Sequence, residues 1–132
     1  MCLYSKEKVP LIAEKDIVCY KILRRERYGY FSPYQEDKII FNKTIIASRS
    51  KRKFEINKEH LRTEFFSISE GFIHAYNMPI IAYFSYQQML SNFSNTHFNI
   101  VKCIIPKGSR YFNGIGDDIC ADRMIITDER IV

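Results

Sequence analysis

The feature that most constrains the fold is one helical run set between strand-like runs, in the segment from Glu70 to Thr127. Residues 71–76 (GFIHAY) and Phe98–Ile105 (FNIVKCII) are short runs rich in aliphatic, aromatic and β-branched residues, and turn residues flank them. This composition and length are typical of strands. The intervening segment is too long to be a tight turn, so we expect a strand, helix, strand unit here.

The helix itself is predicted by the spacing of apolar residues. They recur every three or four positions, which is the pattern of one face of an amphipathic helix. The residues that form this face are Met78, Ala82, Tyr86, Met89, Leu90 and Phe93. We therefore expect one principal helix at about residues 78–93, with Asn77 as its N-cap and Pro79 in its first turn.

Further strands are predicted at both ends of the chain. Asp16–Leu23 (DIVCYKIL) is expected to be the first strand, followed by a charged tip, Arg24–Arg27, and an aromatic loop. Tyr111-Phe112 is short and extended, and Ile119–Thr127 (ICADRMIIT) is expected to be one closing strand. Together these elements predict an α+β domain with a small, strongly twisted, mostly antiparallel sheet and one principal helix.

Length and composition predict a single domain over residues 1–132. Of these residues 46% are hydrophobic and 14% aromatic, which is enough for a hydrophobic core. The longest apolar runs are far shorter than the ~20 residues of a membrane span. The first 16 residues (MCLYSKEKVPLIAEKD) lack the uninterrupted apolar region of a signal peptide. We therefore expect no membrane association and a cytoplasmic location.

The four cysteines agree with a reducing compartment. They are Cys2, Cys19, Cys103 and Cys120. None forms a C-x-x-C pair, and three lie in apolar strand-like runs, so we expect buried free thiols. A structural disulfide and a zinc site are the alternatives. The histidines His60, His74 and His97 show no metal-ligand spacing, so no metal site is predicted.

Positive charge is concentrated in the first half of the chain. Residues 1–64 contain 15 Lys and Arg against 9 Asp and Glu, a net charge of +6, whereas residues 65–132 contain 5 against 6, a net charge of −1. Residues 48–53 are expected to form an exposed basic loop. Its cationic side chains are Arg49, Lys51, Arg52 and Lys53. These side chains are candidates for nucleic-acid binding, and a solvated charged loop is the alternative.

A second basic cluster lies beside aromatic residues. It consists of Arg24, Arg25 and Arg27. The neighbouring aromatic residues are Tyr28, Tyr30, Phe31 and Tyr34. Arginines bind phosphates and aromatic rings stack on bases, so this cluster is also a candidate nucleic-acid site. The alternative is that the aromatic residues belong to the core.

The candidate catalytic residues are His74, Tyr76, Asp118 and Asp122. His74 and Tyr76 lie two residues apart on a predicted strand, so their side chains point to the same side of the sheet. If the closing strand lies nearby, Asp118 or Asp122 faces them, and a His, Tyr and carboxylate cluster can perform acid–base chemistry. A hydrogen-bonded structural histidine is the alternative.

Several segments resemble a group of small uncharacterised proteins of bacteriophages and of gut Bacteroidetes genomes. They are CYKIL (Cys19–Leu23), SPYQ (Ser32–Gln35), EGFIHAY (Glu70–Tyr76) and KCIIPKGSRYFNGIGDDICADRMIIT (Lys102–Thr127). This resemblance covers both ends of the chain and implies no known activity. It implies a phage or mobile-element accessory protein in the cytoplasm of the bacterial host cell.

A more distant resemblance is to the ADP-ribosyltransferase-like fold. In that family a Gly-aromatic strand leads into a helix, as Gly71-Phe72 does here, and a final strand at the place of Ile119–Ile126 holds the catalytic glutamate. The resemblance implies NAD as the ligand, with Arg24 as a candidate nucleotide-binding residue. This chain departs from the family where His74-Ala75-Tyr76 replaces Ser-Thr-Ser and where aspartates replace the glutamate.

These observations favour a protein that acts by binding a host or viral partner, without catalysis and without a cofactor. The first alternative is an ADP-ribosyltransferase-like domain that binds NAD or a related nucleotide. The second is a nucleic-acid-binding module or a virion or assembly component. The sequence makes no prediction of the oligomeric state.

Overall fold

The structure is a computed structural model that describes residues 3–7, 9–32, 38–47, 55–56, 66–68, 72–93 and 95–132. These residues form the helix α1 (Pro79–Asn92) and a series of strands. The strands are β1 (Leu3–Ser5), β2 (Leu11–Ile12), β3 (Ile17–Glu26), β4 (Gly29–Phe31), β5 (Thr44–Ile46), β6 (Glu55–Ile56), β7 (Phe66–Ile68), β8 (Ile73–Tyr76), β9 (His97–Ile105), β10 (Arg110–Asn113), β11 (Asp118–Ala121) and β12 (Arg123–Arg130). Every strand pairing within these ranges is antiparallel. The predicted α+β class, with an antiparallel sheet and one helix, is confirmed.

Most strands belong to one sheet. Its order is β2-β10-β11-β8-β3-β9-β12-β5, and β4 pairs with the end of β3. The central ladder joins β3 to β9 over nine residue pairs, from Ile17 opposite Ile105 to Arg25 opposite His97. A second, smaller sheet has the order β1-β7-β6.

The chain bends at Asp122, so that β11 before the bend and β12 after it occupy separate places in the main sheet. β11 pairs with β8 and β10, whereas β12 pairs with β9 and β5, and only Asp122 separates the two strands. At the bend, the Asp122 N–H donates to the Arg110 carbonyl (3.0 Å) and the Asp122 carbonyl accepts from Ala47 N–H (2.8 Å). The sheet therefore curls until its two sides meet at this residue.

Curling encloses the larger hydrophobic core. Alternate residues of five strands point to the same, inner face, as the period of two in a strand requires. The fully buried members are Cys19, Leu23, Ala75, Val101, Cys103, Ile105, Ile119, Ala121, Met124 and Ile126. Cys19 lies directly opposite Cys103, and both thiols are free.

Helix α1 covers the outer face of β3, β8 and β9. The buried residues of this smaller core are Ile22, Ala82, Met89, Phe98 and Ile100. The helix begins at Pro79, whose missing N–H has no partner to lose at this position. The prediction of Asn77 as the N-cap is wrong, because Met78 occupies that position without a side-chain hydrogen bond. Asn77 instead donates from its backbone N–H to the Asp117 carbonyl (2.8 Å).

Two strand boundaries differ from the sequence predictions for the same reason, which is pairing with distant residues. β3 continues through Arg24 and Glu26, predicted as a charged tip, because these residues pair with β9 or β4. The predicted single strand Ile119–Thr127 is divided at Asp122. The described residues contain no helix long and apolar enough to cross a membrane.

Candidate functional site

Three of the four predicted catalytic residues share one face of the sheet. Tyr76 lies directly opposite Asp118, and His74 lies directly opposite Cys120, on the paired strands β8 and β11. Residues opposite each other in an antiparallel pair point to the same side, with Cβ atoms ~5 Å apart. His74 and Asp118 are diagonal neighbours on this face. The three side chains are therefore close enough to influence one another.

The His74 imidazole is buried and neutral. Neither ring nitrogen has a hydrogen-bond partner among the described residues. Burial, together with the positive charge of Lys21, lowers the pKa of His74 to about 4. The Lys21 ammonium donates to the backbone carbonyl of His74 (2.8 Å), so a cation lies within hydrogen-bond distance of this residue's backbone. A histidine in this state accepts a proton poorly near neutral pH.

Asp118 and Cys120 are also shifted toward their neutral forms. Burial raises the pKa of the Asp118 carboxyl and raises the pKa of the Cys120 thiol to about 12. The Asp118 Oδ1 atom is buried without a hydrogen-bond partner in the described part of the chain. A thiol of this kind is a poor nucleophile, because the thiolate is the reactive form. The pKa shifts of His74, Asp118 and Cys120 therefore all favour the neutral form of each side chain.

Asp122 is engaged in a structural role at the bend. Its Oδ1 accepts from Arg110 N–H (2.9 Å) and its Oδ2 accepts from Arg110 Nε (3.0 Å). The backbone carbonyl of Asp122 accepts from Ala47 N–H. The Asp122 carboxylate therefore accepts from Arg110 N–H, where a backbone carbonyl would be the acceptor in a regular ladder. Arg123 Nε lies 3.8 Å from Oδ1 and adds a second positive charge. These contacts direct the carboxylate toward Arg110.

The described residues do not assemble a metal site. Cys120, His74 and Asp118 include ligand types that zinc prefers, but no three His, Cys, Asp or Glu side chains in the described ranges are placed to hold a metal ion.

An open cleft lies elsewhere, at the tip of the hairpin formed by β3 and β4. Its volume is about 440 Å³, and the residues that line it are Arg25, Glu26, Arg27 and His97. We refer to it as the hairpin cleft. None of the predicted catalytic residues lines it. Its volume lies in the range of pockets that bind small organic ligands, roughly 300–1,000 Å³.

The strand register explains why these residues meet. Arg25 lies directly opposite His97 on the β3–β9 ladder, so both side chains emerge on the same face. The turn that follows needs Gly29, which has a φ of 142°. Glycine reaches a positive φ without steric cost, so Arg27 and Tyr28 turn the chain without taking a positive φ themselves.

Aromatic rings and arginines are in contact at the hairpin. The Arg27 guanidinium lies 5.6 Å from the centroid of the Tyr28 ring, and that tyrosine is 76% exposed. Arg24, the predicted nucleotide-binding residue, lies 5.5 Å from the Phe31 ring centroid, and its Nε is 2.8 Å from Glu26 Oε1. Arg24 therefore organises the hairpin, whereas Arg25 and Arg27 are exposed. Three arginines against one glutamate leave a local net charge of +2.

Sequence reasoning found the arginines and tyrosines of this hairpin but missed His97. The sequence shows His97 only as an isolated histidine, and its place in the cleft follows from the β3–β9 register. The predicted basic loop with Arg49, Lys51, Arg52 and Lys53, and also Tyr34, lie outside the described residues.

Comparison with known protein families, with curated proteins and with solved structures finds no match to this chain. The ADP-ribosyltransferase-like fold therefore has no support from structural comparison. The resemblance to phage and Bacteroidetes proteins stays a prediction.

Proposed function

We propose that this protein acts by binding, and that its ligand is single-stranded nucleic acid held at the hairpin cleft. The observation that supports this proposal most directly is that Arg25 and Arg27 line the cleft and that Arg27 contacts the exposed ring of Tyr28. Guanidinium groups form charge-assisted hydrogen bonds with phosphate oxygens. An exposed tyrosine offers a flat surface on which a base can stack.

The exposed ring favours a single strand over a duplex. A base can stack on a protein side chain only when it is not stacked within a helix, so loops and single strands are the natural ligands of such a site. Arg27 lies against the Tyr28 ring, and this contact restricts the orientation of the ring before a base arrives. Glu26 reduces the positive charge and disfavours a purely electrostatic, non-specific site.

The test is the binding of a fluorescent poly-pyrimidine oligonucleotide, measured by anisotropy at several salt concentrations. The first variant is the double substitution Arg25→Gln and Arg27→Gln. The matched control is Lys43→Gln and Lys107→Gln, which removes the same charge from two exposed side chains outside the cleft. Each lost phosphate contact should make the slope of log K against log salt less negative by ~0.7. We expect a change of ~1.4 for the cleft variant and a smaller change for the control.

Tyr28→Ala separates stacking from charge. Loss of one stacked base costs ~1–3 kcal/mol of binding free energy, and this loss should persist at high salt because stacking is not screened. The proposal is wrong if the wild-type protein does not bind at low salt. It is also wrong if the cleft variant and the charge-matched control bind equally well.

The enzymatic alternative is an ADP-ribosyltransferase-like activity. The geometry supports this alternative less than it supports nucleic-acid binding. Its candidate acid–base residue, His74, has both ring nitrogens buried, whereas the hairpin cleft lies at other residues. Thermal unfolding with NAD tests it. A ligand at a hundredfold excess over its Kd stabilises a protein by ~2.7 kcal/mol. The absence of a shift at millimolar NAD would remove this alternative.

The wider biological setting stays as the sequence predicts it, a phage or mobile-element accessory protein in the host cytoplasm with a host or viral partner. Nucleic-acid binding is compatible with that setting and with a role in virion assembly. Within the described residues, the support for nucleic-acid binding comes from the hairpin of β3 and β4.

A further inference from the structure

Helix α1 exposes apolar side chains in its first half on the side that faces away from the sheet, in addition to those that pack against the sheet. The solvent-facing residues recur every three or four positions along the helix. They are Ile80, Tyr83, Phe84, Gln87, Gln88 and Ser91, and we call them the α1 stripe. Ile80 is 56% exposed, Tyr83 42% and Phe84 59%. A helix that is apolar on both sides is typical of one that is covered on both sides.

The α1 stripe has no charge, and this limits the partners that fit it. The whole helix, PIIAYFSYQQMLSN, contains no Asp, Glu, Lys or Arg. A strongly charged protein surface or an anionic membrane surface would find no complementary charge on it. The polar groups of the stripe are amides and hydroxyls, which both donate and accept hydrogen bonds.

These properties make the stripe complementary to itself. In a dimer with two-fold symmetry the same surface is used on both subunits, so like charges are brought together wherever charges exist. An uncharged stripe with amides at Gln87 and Gln88 avoids this repulsion and can pair donors with acceptors across the axis. Helices of this kind pack by fitting the ridges of one into the grooves of the other.

The exposed area agrees with a dimer of moderate affinity. If a large side chain exposes ~200 Å² when fully open, the three apolar residues expose ~300 Å² and the whole stripe ~500 Å². Specific interfaces begin near ~600 Å² per partner. The stripe and a narrow rim around it reach this lower limit. We propose that the α1 stripe binds a second copy of this chain, as a two-fold helix pair centred on Tyr83 and Phe84 with a micromolar Kd.

The test is the molar mass in solution, measured by sedimentation across a concentration series without nucleic acid. The chain has a mass of 15.7 kDa, so a dimer has twice that mass. The disruptive variant is Phe84→Glu, and the matched control is Ile115→Glu, an apolar residue 52% exposed in a loop far along the chain from α1. A central side chain of an interface is worth at least ~2 kcal/mol, so Phe84→Glu should weaken association at least ~30-fold.

Each outcome decides the proposal. Concentration-dependent dimers of the wild-type chain and of Ile115→Glu, with a Kd at least ~30-fold higher for Phe84→Glu, support it. A wild-type chain that stays monomeric at about 100 µM, roughly a hundredfold above a micromolar Kd, overturns it and leaves the stripe to a different partner. An unchanged dimer Kd in both Phe84→Glu and Ile80→Glu overturns it, as do assemblies larger than a dimer. Circular dichroism verifies that each variant is folded, and Ile80→Glu replaces Phe84→Glu if the latter does not fold.

Discussion

Burial of the neutral His74 imidazole predicts a loss of stability in mild acid. In the unfolded chain the imidazole binds a proton below its ordinary pKa of 6.5, whereas the folded protein resists protonation until the pKa of about 4. Between these values the unfolded state binds more protons than the folded state. The free energy of unfolding therefore falls as the pH drops from about 6.5, and the loss stops below about pH 4.

The size of the effect follows from these two values. Linkage gives a loss of ~2 kcal/mol between pH 7 and pH 5, and ~3 kcal/mol by pH 4. For a small domain this is a large share of the total stability of ~5–15 kcal/mol. Asp118 acts in the opposite direction, because burial raises its pKa, so the folded state binds that proton first. Because Asp118 partly offsets the effect of His74 on the free energy of unfolding, a comparison between variants is more informative than the pH dependence of the wild type alone.

The informative variant is His74→Leu, which replaces the imidazole with an apolar side chain of similar size. Urea unfolding followed by circular dichroism suits this chain, which has no tryptophan. Relative to the wild type, His74→Leu should gain ~2 kcal/mol when the pH is changed from 7 to 5. The control is His97→Leu, which removes an exposed histidine. If His74→Leu loses as much stability as the wild type over this interval, the imidazole is not buried in its neutral form.

Three further predictions follow from the bend, the hairpin and the basic loop. Asp122→Ala should lower the free energy of unfolding by ~2 kcal/mol in urea titrations, because it leaves a ladder N–H of Arg110 without its acceptor, and the partly exposed guanidinium limits the loss. Gly29→Ala should cost ~1 kcal/mol, since its φ of 142° is strained for alanine, and should weaken oligonucleotide binding in the anisotropy assay by displacing Tyr28. Replacing Arg49, Lys51, Arg52 and Lys53 with Ala should flatten the salt dependence of binding if that segment contacts nucleic acid, and an unchanged slope would identify it as a solvated loop.

The parts of the fold that the sequence predicts well are those fixed by local pattern. The spacing of Ala82, Tyr86 and Met89 placed the helix within one residue of its observed start and end, because a helix repeats its contacts every three or four residues. The ladder strand His97–Ile105 was found because its side chains are buried over nearly its whole length. Both signals are contained within a dozen consecutive residues.

The bend at Asp122 was not predictable for the opposite reason. ICADRMIIT has the composition of one continuous strand, and nothing within it indicates a corner. The corner depends on Ala47 and Arg110, which lie 75 and 12 residues earlier in the chain and hydrogen-bond the backbone carbonyl and the backbone N–H of Asp122 respectively. The candidate site shows the same limit, since the sequence indicates the arginines of the hairpin but not the pairing of Arg25 with His97.

The position of the hairpin cleft on the longest ladder explains why it can act as a binding site. Arg25 and His97 continue the alternation that puts Leu23 and Val101 into the inner core, so their backbones are fixed by the same ladder. The backbone hydrogen bonds between residues 131–132 and β9 stop at Ile100, and β4 pairs with the other edge of β3, so the charged ends of β3 and β9 extend beyond the core. This ladder holds the backbone of Arg25 in place before a ligand arrives, which lowers the entropic cost of binding at this residue. For the same reason, substitutions at Arg25 and Arg27 remove charge without disturbing the core, and a loss of binding in these variants can be assigned to the lost contacts.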